Sequence, residues 1–423
     1  MPYLIVDCNN FYVACERAFD ARLVGRPVVV LSNNDGCVIS RSPEAKTMGI
    51  PMGAPAFQWR RVFQQGNVAV LSSNYTLYAD MSHRVMDTLS RFTDCLEIYS
   101  IDEAFLEMSL SASEAVHAAR DLRQTVRQWT GISVSVGLAP TKTLAKLANH
   151  QAKQEPSRGG VFCFVSEPFP DQLLASTEVE AIWGIGRRLG ARLRQQGVEN
   201  ALALRQASPS WVRRYLTVTG LRTQMELRGI SCISLESVPA KRTITCSRSF
   251  GHLVWELADL RAAVAWFVDH AARKLRRQHS ATGLIQVFLR TDKHRTDLRQ
   301  RSVSAAATLS LASDYTPDLI AAAHRVLESI YAPGFGYLKA GVLLCDLCPK
   351  GERQLSLFDP AGGDPDQRDR HQRLMATVDH LNDRLGRGTV FLASMGVERG
   401  WQGRQARRSA RYTTQWRELP EVR

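Results

Sequence analysis

The sequence predicts an α+β multidomain protein, and three observations carry that expectation. At 423 residues the chain exceeds what one hydrophobic core serves, at roughly 150 residues per domain. Strand and helix periods alternate irregularly, without the strict strand–helix repeat of a doubly wound sheet. Charge is also unevenly divided: the net charge is +13, yet residues 1–110 hold nine Lys/Arg against twelve Asp/Glu. With 44% hydrophobic and 22% charged residues the chain sits near the globular average, so wholesale disorder is excluded.

Residues 3–6 are a short apolar run that stops at Asp7, as a buried strand delivering a polar residue at its end would. Residues 9–19 read as a helix and 28–31 as a second buried strand, followed by the turn formers Ser32-Asn33-Asn34-Asp35-Gly36. Segment 40–75, broken by Pro43, Pro51 and Pro55, predicts a small subdomain of short elements. Tyr78, Met81, Val85, Met86 and Leu89 form the apolar face of a helix over 75–92. Residues 96–107 predict two strands joined by a tight hairpin near 101–103. A helix over 113–130, a strand over 132–138 and a helix over 141–153 follow. Segment 168–235 lacks strand patterning and predicts a small helical domain, with a linker near 232–240. A second α+β domain follows, with strands at 243–249, 284–289, 303–309 and 340–347 and helices at 257–278 and 316–331. Beyond Gly351 the composition turns polar and Gly/Asp/Pro-rich through about 370, as in an exposed tail, with one amphipathic helix over 374–385 closed by Gly386.

Nine scattered cysteines form no regular disulfide or zinc pattern, and the pair Cys345 and Cys348 lacks the two further ligands of a tetrahedral site. Neither a secretory signal nor an apolar run of ~18 residues is present, which predicts a soluble, intracellular chain with no membrane partner. The basic balance suits a polyanion, nucleic acid first.

Three carboxylates stand out: Asp7 at a strand end, and the adjacent Asp102 and Glu103 at a hairpin. Neighbouring strands can bring them together, and such a cluster repels itself unless cations relieve it. Mg²⁺ takes hard oxygen ligands and leaves positions for phosphate and water, and two ions about 3.5–4 Å apart suit in-line phosphoryl displacement. A solvated turn is the plain alternative for the Asp-Glu pair.

Asp7-Cys8-Asn9-Asn10-Phe11-Tyr12 with Glu16, then Ser72-Ser73-Asn74-Tyr75-Thr76-Leu77-Tyr78-Ala79-Asp80, then Tyr99-Ser100-Ile101-Asp102-Glu103-Ala104-Phe105, resemble the palm and fingers of Y-family DNA polymerases. Residues 31–39, 141–150 and 183–188 (Trp-Gly-Ile-Gly-Arg-Arg) are similar to the bacterial UmuC branch, and the resemblance runs over essentially the whole chain. It implies a right-hand polymerase. Palm would be 1–20 and 75–167, fingers 21–74, helical thumb 168–235, linker 236–240, little finger 241–350 and C-terminal tail 351–423. The implied activity is error-prone, template-directed translesion synthesis in the SOS response, in the bacterial cytoplasm, with primer-template DNA, dNTP and two Mg²⁺.

The resemblance also implies roles. Asp7 and Asp102 would bridge both metals, Glu103 would complete the catalytic-metal site, and the Cys8 carbonyl would ligate the nucleotide-side metal. Backbone amides around Asn10, Phe11 and Tyr12 would cradle the triphosphate, with Phe11 a core ring and Tyr12 the steric gate against a 2′-hydroxyl. Lys153 would neutralise the triphosphate, and Lys46 matches a fingers position that is arginine elsewhere in the family, where a point charge replaces a fork. Gly184 and Gly186 resemble a helix-hairpin-helix turn that lets amides approach a DNA phosphate. Arg273, Lys274, Arg276 and Arg277, on one predicted helix, would grip DNA backbones without reading bases. Gln354, Leu355, Leu357 and Phe358 resemble a sliding-clamp binding peptide, and UmuC-type chains work with a processed UmuD-type dimer and the recombinase filament. The rival readings are a catalytically idle DNA-binding subunit of a repair complex and another two-metal nucleotidyl enzyme on the same palm, such as a nucleotide cyclase.

Overall fold

The computed structural model describes residues 3–155, 158–164, 171–235, 240–352, 365–398 and 400–419. They gather into two units: residues 1–32, 36–237 and 407–423 form the first, and 33–35 with 238–406 the second.

The first unit begins with β1 (Tyr3–Cys8), two residues longer than its apolar run, and α1 (Phe11–Phe19). Then come β2 (Val28–Leu31), β3 (Val38–Arg41), α2 (Pro43–Thr47), α3 (Ala56–Gln65) and β4 (Ala69–Ser72). These make a three-stranded sheet in the order β3-β2-β4 over a small core of its own. The ten-residue α3 is longer than the short pieces its proline-rich surroundings suggest, because Pro55 and Gly66 frame it at its two caps and do not interrupt it.

After α4 (Tyr75–Leu89), the hairpin strands β5 (Leu96–Ile98) and β6 (Glu103–Glu107) lead to α5 (Ala112–Thr130). A capping box between Ser111 and Glu114 starts α5, and Gly131, at φ +74°, ends it. Then β7 (Val134–Ala139), α6 (Lys142–Gln154) and β8 (Val161–Cys163) complete a five-stranded sheet, β5-β6-β1-β7-β8. Alternation along β1 sends Leu4, Val6 and Cys8 into the core shared with α1, α4 and α5, and Tyr3 and Ile5 into the core under α6. A Cβ on Gly137 of β7 would lie 2.2 Å from the Asn149 amide nitrogen, so glycine there lets α6 press onto the sheet. The helices α7 (Asp171–Ser176), α8 (Arg187–Gln195), α9 (Ala201–Gln206) and α10 (Pro209–Leu227) close the α6 side.

The second unit is a four-stranded antiparallel sheet with two helices on one face. Its elements are β9 (Ile244–Val254), α11 (Leu257–Arg277), β10 (Ser280–Thr291), β11 (Ser302–Ser313), α12 (Thr316–Ile330) and β12 (Tyr337–Pro349), in sheet order β11-β10-β12-β9. Every strand outruns its apolar core because the other face is open: along β11, Val303, Ala305, Ala307 and Leu309 pack inward while Ser302, Ser304, Ala306, Thr308 and Ser310 are exposed.

Helix α13 (Pro365–Leu385) is nine residues longer at its start than expected. Beyond it the sequence reading of a tail needs correction. Met395 and Trp401 are buried in the core of the second unit, where Trp401 packs on Phe250, Trp266 and Phe267. Residues 407–419 pack on the first unit, Ser72 N donating to the Arg407 carbonyl at 3.0 Å. Arginine-rich composition concealed these anchors, because a few apolar and hydrogen-bonding side chains dock the segment.

Candidate active site

Asp7 stands directly opposite Glu103 in the antiparallel β1–β6 ladder, and the Cys8 amide donates to the Asp102 carbonyl at 2.8 Å. Asp7 and the Asp102–Glu103 pair, distant in sequence, therefore meet where β1 ends and β6 begins. The turn before β6 is shaped by Ser100: its hydroxyl donates to Asp102 Oδ1 at 2.7 Å and accepts from the Glu103 amide at 3.1 Å.

Helix α6 supplies the counter-charges. Lys142, Lys146, Asn149 and Lys153 recur at spacings of four, three and four, which is one helix face. Lys153 Nζ lies 2.6 Å from Asp7 Oδ2, and Lys146 Nζ 2.9 Å from Glu103 Oε2 and 4.4 Å from the Tyr99 ring centre. Lys142 pairs with Glu97, and the Asn149 amide donates to the Ser135 carbonyl at 2.7 Å, fastening the helix to the sheet. Lysines thus alternate with carboxylates across the interface. The sequence reading assigned Lys153 but passed over Lys146, whose signal was its two-turn separation from Lys153.

Burial pushes the Asp7 carboxyl up to about 7, with Lys153 opposing and the neighbouring Glu103 adding to the rise. Burial acts on Glu103 in the same sense, but hydrogen bonds from Asp7 and Lys146 outweigh it and hold Glu103 below the usual carboxylate range. A divalent cation would favour the charged form of both carboxyls.

Among the described residues no three His, Cys, Asp or Glu side chains close into a finished metal cage. The donor set still suits a hard divalent ion. It consists of carboxylate oxygens that are half-buried, oppositely placed and now held by displaceable ammonium groups. Cys8 points into the opposite core, where burial raises its thiol well above the ordinary value, so only its backbone carbonyl is available to an ion.

Asn10, in the left-handed region at φ 49°, starts α1. Phe11 is buried in the core, whereas Tyr12 is half-buried and stacks on Tyr78, ring centres 4.5 Å apart. Burial raises the Tyr12 phenol, with Tyr75 and Asp102 contributing. Lys46, on α2, is lowered by burial and then by Arg41 and Lys153, with Asp7 opposing. Arg41 is a further candidate absent from the sequence reading; its Nε has no protein partner among the described residues.

Gly184, at φ +88°, and Gly186 form an exposed turn at the start of α8, and a Cβ on Gly186 would meet nothing within 4 Å. The Trp183 indole donates to the Tyr99 hydroxyl at 3.0 Å, tying this turn to the β5–β6 hairpin.

The arginines of α11 have acidic partners within the protein. Arg276 makes a two-pronged contact with Asp379 at 2.7 and 2.9 Å, and Arg273 and Arg277 both pair with Asp383. Their forks are used by the acidic face of α13, and Lys274 alone of the four is exposed without such a pair. Gln286, Phe288, Arg290 and Lys339 lie together on the open face of the sheet. Gln354, Leu355, Leu357 and Phe358 lie outside the described residues. Cys345 and Cys348 are free thiols on β12, and no helix among the described residues is long and apolar enough to cross a membrane.

Comparison with known proteins places this geometry. Residues 6–150 match the impB/mucB/samB family, residues 241–357 its C-terminal domain, and residues 372–422 a domain of unknown function, DUF4113. Protein UmuC of Salmonella typhimurium is 42% identical over 425 residues, covering 100% of both chains. Protein ImpB of Salmonella typhimurium is 41% identical over 100% of this chain and 99% of its own. DNA polymerase IV of Pelotomaculum thermopropionicum is 25% identical over 93% of this chain and 94% of its own. Among solved structures, a Y-family DNA polymerase chimera, Dbh-Dpo4-Dbh, is similar in fold with a TM-score of 0.64 at 19% identity, covering 82% of this chain and 100% of that one.

Proposed function

Since the chain belongs to the impB/mucB/samB family and is a UmuC-type, DNA-directed DNA polymerase of the translesion class, we propose that its nucleotidyl transfer runs at Asp7, Asp102 and Glu103. One observation carries this: Asp7 and Glu103 are register partners with Asp102 bonded alongside, ringed by Lys146, Lys153 and Lys46.

Divalent dependence follows from the family, and we assign two Mg²⁺ to Asp7, Asp102, Glu103 and the Cys8 carbonyl. When bound, the ions supply Lewis-acid chemistry, acidifying a primer 3′-hydroxyl and neutralising pyrophosphate. The chain's own residues do the rest. Amides at the start of α1 face the triphosphate. Lys153 and Lys146 hold the acids' charge in the resting site and turn to phosphate oxygens when the acids bind cations. Lys46 and Arg41 extend that cationic wall from the fingers. Tyr12, backed by Tyr78, excludes a 2′-hydroxyl.

In this reading residues 1–20 and 75–167 are palm, 21–74 fingers, 168–235 thumb and 241–350 little finger. Primer-template DNA meets the Gly184–Gly186 turn and the open face of the second unit's sheet. The sliding clamp takes Gln354, Leu355, Leu357 and Phe358, and a processed UmuD-type dimer and recombinase filament complete the SOS-response complex in the bacterial cytoplasm. An idle DNA-binding subunit has no use for three converging acids with matched lysines, and a nucleotide cyclase none for the second unit.

Primer extension by the full-length chain with these partners and Mg²⁺ tests the assignment. Asp102→Asn is expected to remove several kcal/mol of transition-state stabilisation, about a thousandfold in rate, with primer-template binding retained. Undiminished extension by that variant would remove the acids from the chemistry.

A further inference from the structure

The last segment of the chain reaches the back of the sugar-selecting ring through a buried carboxylate. Glu16, on the second turn of α1, is 1% exposed, and its Oε1 accepts from the Tyr78 hydroxyl at 2.6 Å and from the Ser409 hydroxyl at 3.0 Å. Tyr78 is the plate on which Tyr12 stacks, with planes only 16° from parallel. A continuous chain of contacts therefore runs Ser409, Glu16, Tyr78, Tyr12.

The segment is held there by specific bonds. Asn74, the N-cap of α4, accepts from the Leu77 amide through Oδ1, and its Nδ2 faces Ser409 Oγ at 2.9 Å and the Ala410 carbonyl at 3.1 Å. The residue that starts the helix carrying Tyr75 and Tyr78 thus also grips the C-terminal strap. Arg407 N donates to Ser72 Oγ at 3.0 Å, and Tyr412 stacks on Phe19 of α1 with ring centres 5.0 Å apart. Every one of these partners lies on β4, α4 or α1, the elements that frame Tyr12.

We infer that residues 407–412, within the domain of unknown function, act as a positioning strap that sets nucleotide sugar selectivity, with Ser409 as its positioning residue. The physical reason is that a buried carboxylate needs donors. With both hydroxyls bonded to one oxygen, Glu16 and Tyr78 have a single arrangement. Without Ser409 the carboxylate keeps one fewer partner and is freer to shift, and Tyr78 moves with it. Excluding a hydroxyl from beside a ring depends on tenths of an ångström, so loosening the plate admits ribonucleotides before it slows deoxynucleotide addition.

This inference rests on reading Tyr12 as the gate. The test measures single-nucleotide insertion by the full-length protein with its activating partners, using Mg²⁺ and paired dNTP and rNTP substrates. Ser409→Ala is expected to lower the dNTP-over-rNTP ratio of kcat/KM about three- to tenfold, the range of one net hydrogen bond, through improved rNTP use. Ser409→Thr, which keeps the hydroxyl, restores the ratio, which a general loss of stability in Ser409→Ala would not explain. Tyr12→Ala serves as the reference. If its ratio collapses while that of Ser409→Ala matches the wild type, the strap has no such role and the gate stands. If Tyr12→Ala leaves the ratio unchanged, the gate falls and the strap's role falls with it.

Discussion

Tyr12 is pinned between two tyrosines, stacked on Tyr78 and edge-on to Tyr75, with ring centres 6.0 Å apart in the second contact. A ring held on both sides suits the proposed gate against a sugar 2′-hydroxyl. Tyr12→Ala is therefore expected to keep deoxynucleotide extension while raising ribonucleotide incorporation on the order of a hundredfold. Insertion kinetics with the two nucleotide types check it. At this scale sequence reading singled out Asp7, Asp102, Glu103 and Tyr12, whose residue types stand out at strand and helix ends. It overlooked Lys146, Arg41 and Ser409, because lysine, arginine and serine are ordinary on surfaces and gain meaning only from what faces them.

Helix α6 illustrates what elements add. Its start is fastened by Glu226, fully buried near the end of α10, whose carboxylate accepts from the Thr143 amide at 3.0 Å, the Cys232 amide at 2.7 Å and the Ile233 amide at 3.1 Å. An anionic oxygen at a helix start also meets the favourable end of the helix dipole. Glu226→Ala leaves those amides without their acceptor and is expected to cost about 3 kcal/mol in urea unfolding. A change below about 0.5 kcal/mol, the size of an ordinary surface substitution, would show that water replaces the carboxylate. In the second unit, His270 of α11 stacks on Trp266 with ring centres 3.6 Å apart, and its Nδ1 lies 3.0 Å from the Trp266 carbonyl. Burial, opposed by that carbonyl and reinforced by Arg248, Arg387 and Arg273, pushes the ring down to about 4 from an ordinary value of 6.5. The folded state thus binds fewer protons than the unfolded one between those values. Its stabilising contribution is present above pH 6.5 and is lost as pH falls through 4. Thermal melts from pH 7 to 4 should show that slope in the wild type and a shallower one in His270→Asn; identical slopes would place the proton uptake elsewhere.

For the whole molecule the governing quantity is charge: residues 1–110 sum to −3 and the remainder to +16. In the proposed reading the acids hold the cations of catalysis and the basic remainder meets phosphate. DNA affinity should fall steeply with salt, each phosphate contact contributing about 0.9 to the logarithmic slope. Arg290→Ala or Lys339→Ala, on the open sheet face, should each lower that slope by about one contact. Arg276→Ala should leave the slope unchanged and lower the melting temperature, since its fork is used by Asp379. A reduced slope in Arg276→Ala would restore the α11 arginines as DNA ligands.

The sequence alone determined the α+β class, most element positions, the polymerase family and the three acids, because hydrophobic period and strand-end polarity are local properties written within a few residues. Tertiary structure decided which charges meet. It set the α6 lysines against the sheet carboxylates, turned the α11 arginines to α13, buried Trp401 and brought Ser409 to Glu16. Those pairings join residues up to 393 positions apart, and no local pattern encodes which of many similar ions or hydroxyls will be neighbours once the chain has closed.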